Sequence, residues 1–222
     1  MVEQFKVDIN EYQSVSAIAY PASAKSRAGV TLILGHGAGA GQTSGFMVKF
    51  ATELAVRGID AVTFNFLYTE HGRGIPDKND KLEDCYRKVI EAVRAHKKLA
   101  KNRLAIGGKS MGGRIASQVA AAGAGDLAGL VFFGYPLHPP GNPEKLRAKH
   151  LPDIKAPMLF IQGSRDVFGT PDELRPILKN LPATLHVVEG GDHSLKVPKS
   201  LGVTQEEVYA SVLDEVAHWL AK

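Results

Sequence analysis

The sequence predicts an α/β fold: a doubly wound, mostly parallel sheet with helices on both faces. Three observations predict it. From residue 30 onward, short apolar runs alternate with longer runs whose apolar residues recur at helical spacing, which is the signature of repeated strand–helix units. The short runs (30–34, 130–133, 158–162) are nearly all apolar rather than alternating, as strands covered on both faces must be. Helix starts are written out as capping boxes, Thr170-Pro171-Asp172-Glu173 and Thr204-Gln205-Glu206-Glu207.

The elements follow in order. Residues 5–9 and 15–20 read as two β segments ending at Pro21, and 21–29 as a surface connection. Strand 30–34 runs into the glycine-rich stretch 35–41. A helix over 46–57 carries Phe46, Phe50 and Leu54 on one face and is closed by Gly58. Strand 61–66 precedes a loop, 67–76, that holds Tyr68, Glu70, His71 and Arg73. A long amphipathic helix over 78–100, capped by Asp77, has the stripe Leu82, Cys85, Val89 and Val93, which makes Cys85 a core thiol. Strand 104–106 and helix 115–122 flank a glycine-rich turn. Strand 130–133, a proline-rich excursion over 134–157, strand 158–162, the helix opened by Thr170, strand 184–188 and a helix from Thr204 to about 221 complete the chain. No repeat, low-complexity tract or linker divides it, so one domain over residues 1–222 is expected.

Composition narrows the classes of partner. The 222 residues are 44% hydrophobic and 23% charged, with a net charge of +4 spread along the chain. The densest basic group, Lys97, Lys98, Lys101 and Arg103, falls at a helix C-terminus, where cations favour the dipole, and does not read as a nucleic-acid patch. A single cysteine excludes an internal disulfide framework and suits a reducing compartment. The first residues lack the basic and apolar regions of a secretion signal, and no run reaches the length of a membrane span. A cytoplasmic protein without membrane or nucleic-acid partners is expected; a homo-oligomer is possible but nothing indicates one.

Chemistry concentrates around Gly108-Lys109-Ser110-Met111-Gly112, a G-x-S-x-G turn between strand 104–106 and helix 115–122. A serine on so sharp a turn stands above the carboxyl end of the sheet, and glycines two residues to either side let the helix pass close to the strand. The Met111 amide, at the helix N-terminus, faces the place where an oxyanion would form. The ending Gly108-Lys109-Ser110 also suggests a phosphate-binding loop, but the first glycine of that pattern would fall at Arg103.

A nucleophilic serine on this fold needs an acid and then a histidine later in the chain. Asp166 lies just after strand 158–162, and His193 just after strand 184–188, both at the same sheet edge as Ser110. Of the eight histidines, the others fall in helices, a strand, the proline-rich segment or out of chain order. Asp192 is too near His193 to orient it and is assigned to the turn. No metal-ligand spacing appears, so neither a metal nor another cofactor is expected. The loop His36-Gly37-Ala38-Gly39 offers the Ala38 amide as second oxyanion donor. Gly35-x-Gly37-x-x-Ala40 also fits a dinucleotide fingerprint, but the next strand ends in Asn65 where that motif needs a carboxylate.

Together, Gly35-His36-Gly37-Ala38-Gly39, Gly108 to Arg114, Gly163-Ser164-Arg165-Asp166 and Gly191-Asp192-His193 resemble the α/β-hydrolase superfamily over about residues 28–221. The small dienelactone-hydrolase-related branch is the most similar. The resemblance implies Ser110 as nucleophile, His193 as general base, Asp166 as its orienter, and Met111 and Ala38 as oxyanion donors. Dienelactone hydrolases proper carry cysteine where this chain has Ser110, so their substrate is not implied. The 109–114 stretch also resembles hydrolase-like subunits of chromatin complexes, which implies a second reading, a non-catalytic interaction subunit. The first reading is a serine hydrolase of small carboxylic esters. Tyr68, His71 and Lys109 are substrate-binding candidates, with Glu70, Arg73 and His138 also on the catalytic side. The excursion 134–157 holds Pro136, Pro139, Pro140, Pro143, Pro152 and Pro157, leaving only 144–149 free to be helical. That predicts no multi-helix lid and a shallow, open site for short or polar acyl groups.

Overall fold

The computed structural model describes residues 2–23 and 25–222. Strands β1 (Glu3–Asn10), β2 (Gln13–Tyr20), β3 (Val30–Gly35), β4 (Asp60–Phe64), β5 (Arg103–Lys109), β6 (Gly129–Phe133), β7 (Met158–Gly163) and β8 (Ala183–Val188) form one sheet in the order β1-β2-β4-β3-β5-β6-β7-β8. β1 pairs antiparallel with β2, and β2 with β4; every later pairing is parallel. Helices α1 (Gly45–Val56), α2 (Leu67–Glu70), α3 (Asn79–Ala95), α4 (Met111–Ala121), α5 (Pro171–Leu178) and α6 (Gln205–Ala221) connect them. This is the doubly wound α/β sheet that the sequence predicts, without a large cap.

The two faces of the sheet are buried under different helices. Along β3, Ile33 joins α3 and α4 through Leu82, Tyr86, Ile115 and Val119. Its neighbours Leu32 and Leu34 point the other way, against Met47, Phe50 and Leu54 of α1 and Val212 and Val216 of α6. Each such side chain contributes roughly 1.5–3 kcal/mol on leaving water, so β3 is stabilised from both sides and has no polar face to show. The connection after β3 reaches solvent at Ala38 and Gly39.

Topology decides which ends matter. From β3 the chain crosses α1 to β4 on one side, then returns through α2 and α3 to β5 on the other side of β3. The connections leaving β3 and β5 therefore diverge, and a crevice opens beyond their carboxyl ends. The glycine loop 35–41 and Ser110 flank that crevice.

Several boundaries depart from the sequence reading. β5 runs to Lys109, so that α4 begins at Met111 with only Ser110 between strand and helix. α2 adds a helical turn within the 67–76 loop. α3 spans Asn79–Ala95 rather than 78–100, and its N-cap is Lys78, without a side-chain cap. Asp77, expected to cap it, instead pairs with Arg73 at 2.9 Å. No α-helix forms at 144–149; the excursion after β6 holds a single short 3₁₀ turn, Leu151–Asp153, which packs Leu151 into the core. Among the described residues no helix is long and apolar enough to cross a membrane.

Candidate active site

Ser110 sits in a backbone conformation that only tertiary structure can hold, φ 51° and ψ −116°. Such a conformation costs about 1–3 kcal/mol for a residue other than glycine. Its amide donates to Phe133 O of β6 at 3.1 Å, and its carbonyl accepts the Arg114 amide of α4 at 3.0 Å. A Cβ on Gly112 would come within 2.1 Å of Gly35 O, and one on Gly108 within 2.2 Å of the same oxygen. The elbow glycines are thus required by the end of β3, and also by the expected approach of α4 to its own strand, since a Cβ on Gly108 would meet Gly112 C at 3.0 Å.

From this turn Ser110 meets a hydrogen-bonded relay. Ser110 Oγ lies 2.8 Å from His193 Nε2, and His193 Nδ1 lies 2.8 and 3.0 Å from the two oxygens of Asp166. A carboxylate only accepts, so Nδ1 carries the hydrogen and Nε2 faces the serine as an acceptor. Asp166 is buried, and its remaining acceptor capacity is filled by the Phe168 amide at 2.9 Å and by Gln162 Nε2 at 2.9 Å. Gln162, at the end of β7, also donates to Gly169 O at 2.7 Å and accepts the Tyr135 amide at 2.8 Å. The Phe168 ring lies 4.2 Å from the His193 ring and tilts 32° to it. Asp192 accepts the Ser194 and Lys196 amides at 2.7 and 2.9 Å, so its carboxylate builds the turn that carries His193. Lys109 Nζ donates to His193 O at 2.5 Å.

The second wall of the crevice is the loop after β3. Burial pushes the His36 imidazole down to about 4, against the opposing effect of its hydrogen bond to Gly37, so it is neutral at physiological pH. Nδ1–H donates to Gly37 O at 2.9 Å, and Nε2 accepts the Phe66 amide at 3.1 Å, tying the loop to the end of β4. Asn65 accepts the Gln42 amide at 3.0 Å from the same side. Ala38 and Met111, the two expected oxyanion donors, both line the cavity. Among the described residues neither amide has a protein acceptor.

The cavity in front of Ser110 and His193 measures about 800 Å³, within the range of small-molecule sites. Phe46, Met47, Leu82, Met111, Phe168 and Tyr209 supply much of its apolar lining. Its walls come from the start of α1, from 76–82, and from Pro136 and Arg147 of the proline-rich excursion. Of the three substrate-binding candidates, only Lys109 lines this cavity. Tyr68 is 1% exposed, packs edge-on to His36, and opens toward a separate groove with Gly39 and Thr69; its hydroxyl has no partner among the described residues. His71 is exposed outside the cavity. Glu70 is part of the scaffold: burial would raise its carboxyl, but hydrogen bonds from Lys6, Asn65 and Ser16 bring it down to about 2. His138 is buried between Pro139 O and Glu173. Arg114 and Arg147 line the cavity and were not among the candidates. Arg114 was findable, four residues after Ser110 and so on its side of α4; for Arg147 the sequence carries no signal. Among the described residues no group of three His, Cys, Asp or Glu could hold a metal ion.

A family model for an alpha/beta hydrolase domain matches residues 28–221. The chain belongs to the α/β-hydrolase family. Solved α/β-hydrolase folds superpose over nearly the whole chain. A dienelactone hydrolase from Anabaena variabilis matches with a TM-score of 0.78 and 18% identity, covering 99% of this chain and 96% of its own. A serine hydrolase without a lid from Xanthomonas campestris gives 0.74 at 20% identity, covering 99% and 93%. A serine hydrolase homologue from Coxiella burnetii gives 0.73 at 18%, covering 99% and 95%. At such identities these α/β-hydrolases share the fold with this chain; its chemistry has to be argued from its own residues.

Proposed function

We propose that the chain is a serine hydrolase that cleaves carboxylic esters through an acyl-enzyme, working as one catalytic domain. The observation that carries this reading is the unbroken relay from Asp166 through His193 to Ser110 Oγ, with each link between 2.8 and 3.0 Å. His193 Nε2 takes the proton as Ser110 Oγ attacks the ester carbonyl carbon, and the Met111 and Ala38 amides receive the developing oxyanion. The imidazolium, held against Asp166, returns its proton to the departing alcohol. Water then enters, gives its proton to the same nitrogen, attacks the acyl carbon, and Ser110 leaves with the proton back on Oγ.

The strain at Ser110 and the burial of Asp166 also favour this reading over a non-catalytic interaction subunit. An interaction surface gains nothing from holding a serine at φ 51° or a carboxylate 1% exposed beneath a histidine. No α-helix lies between β6 and β7 to cover the cavity, so turnover is expected to show no jump at a lipid interface. A fluorophosphonate probe tests the assignment. Labelling of the wild type that disappears in Ser110→Ala is the expected result, and a correctly folded wild type that takes no label would overturn it.

A further inference from the structure

The charged groups around the cavity do not balance. Lys49, Asp77, Lys109, Arg114, Arg147 and Lys196 line it. Lys49 is paired with Glu206, and Asp77 with Arg73 through Oδ1, while the buried Asp77 Oδ2 has no partner among the described residues. The other four, all cations, pair with no carboxylate among the described residues. Two of them are held in place. Arg114 rises from α4 one turn beyond Ser110 and donates to amide oxygens only, those of Gln118 at 3.0 Å and Asn79 at 3.2 and 3.3 Å. Arg147 comes from the proline-rich excursion, yet its backbone is fixed at both ends. Its amide donates to Leu137 O at 2.7 Å, and its carbonyl accepts the Tyr135 hydroxyl at 3.0 Å. Its guanidinium makes no hydrogen bond to a protein group among the described residues.

We propose that Arg114 and Arg147 form an anion-reading subsite of the Ser110 cavity, and that the substrate is an ester carrying a carboxylate or phosphate within a few atoms of the scissile carbonyl. This rests on the serine-hydrolase reading above and names its substrate class. Two planar guanidinium forks lining one cavity can match the oxygens of such a group, and a guanidinium keeps its charge at every working pH. Partial burial pulls the Arg114 guanidinium below its ordinary value and the neighbouring Arg147 adds to the effect, so a bound anion would relieve a like-charge contact. The placement also sets the reach. Arg114 lies four residues, about 6 Å of helical rise, beyond the nucleophile, which suits a short spacer between anion and ester. The adjoining apolar walls would then hold the spacer rather than a long acyl chain.

Matched ester pairs decide it. Mono-p-nitrophenyl glutarate against p-nitrophenyl pentanoate places the charge on the acyl side. On the alcohol side, 4-acetoxybenzoate or 4-acetoxyphenyl phosphate against phenyl acetate separates carboxylate from phosphate. A preference in kcat/KM of about tenfold or more for the charged member of at least one pair is expected, collapsing toward unity in Arg114→Gln and Arg147→Gln. No preference in any pair, or a preference that both variants retain, would overturn the subsite. Should Arg114→Gln fail to fold by circular dichroism, Arg147→Gln carries the test. Titration of glutarate and of inorganic phosphate into Ser110→Ala reads the subsite without turnover. Binding lost with Arg147→Gln supports it, and no binding of either anion speaks against it. A wild type that ignores fluorophosphonate but binds these anions would instead mark the hydrolase reading as the one at fault.

Discussion

Asp166, buried behind His193, and Arg114, half-buried one turn beyond Ser110, are charged side chains of the same cavity, and they are treated in opposite ways. Asp166 receives hydrogen bonds from His193, Gln162 and the Phe168 amide, which leaves it one orientation and one partner to serve. Arg114 is given only the amide oxygens of Asn79 and Gln118, and a second arginine, Arg147, lines the same cavity. On the proposed reading, the fully satisfied charge belongs to machinery that must not move during a reaction. A charge left with neutral acceptors has kept its capacity for a counterion. Preorganisation and recognition are thus separable here, and substitutions on the two sides should fail differently.

The relay side should give the largest losses. Ser110→Ala and His193→Ala are each expected to lower kcat by about 10⁵-fold or more, with little further loss when combined, because the residues act as one unit. Multiplicative losses in the double variant would argue against a shared proton path. Asp166→Asn comes next, at about 10³–10⁴-fold, since an amide can donate to Nδ1 and so reverse the imidazole tautomer. Near-normal turnover in that variant would mean that another acid orients His193.

Gln162→Leu sharpens the comparison one layer out. It removes a donor from Asp166 and leaves the buried Tyr135 amide without its acceptor. A stability loss of about 1–3 kcal/mol by urea unfolding is expected, with kcat falling more than KM changes. A loss in KM alone would place Gln162 with the binding wall instead.

How much of this the chain showed in advance depends on what kind of interaction each residue makes. β3, β5 and β7 are legible because strands buried on both faces have nearly continuous apolar runs, and Ser110, Asp166 and His193 because each lies in the connection after a strand, β5, β7 and β8. Asp77 looked like a helix cap from its position, but Arg73 competes for it and wins, a choice between two local partners that sequence cannot rank. Tyr68 was misplaced because the α2 turn carries its ring under the glycine loop rather than into the cavity. Gln162 is hidden at the end of an apolar run, as one polar residue whose partners, Tyr135, Asp166 and Gly169, lie in the loops after β6 and β7. Arg147 was out of reach, since the hydrogen bonds from Arg147 to Leu137 and from Tyr135 that fix the excursion exist only once β6 is built.

Lys109 lies on the border between the two sides, and its titration tests which it joins. Burial draws its ammonium down to about 8, against the pull of Asp166 and Asp192. Below pH 8 both folded and unfolded chains hold this proton, so the group adds no pH dependence there. Between about 8 and the ordinary lysine value of about 10.4 the unfolded chain holds more protons, and stability rises with pH. Urea unfolding of wild type and Lys109→Met at pH 7 and pH 9.5 should therefore show the difference between them moving in favour of the wild type at the higher pH. A difference constant across that range would mean the ammonium is solvated and belongs to neither network.

The smallest effect is expected at Cys85, which touches neither side. Its thiol lies inside α3 against the sheet, 0% exposed, and burial pushes it up to about 12. The thiolate is the reactive form, so at pH 8 both its scarcity and its enclosure protect it. Its contact from Sγ to Asn65 O, at 3.9 Å, is too long to matter to the loop that Asn65 braces. Iodoacetamide at pH 8 should leave the folded protein unmodified and fully active, with mass spectrometry finding alkylation only after urea is added. Cys85→Ala should cost stability through a small cavity, on the order of 1 kcal/mol, while kcat/KM stays within twofold. Rapid alkylation of the native protein with parallel loss of turnover would show that α3 opens next to the catalytic cavity. The wall formed by Leu82 and Asp77 would then be mobile, and the two-sided site described here would lose one of its fixed boundaries.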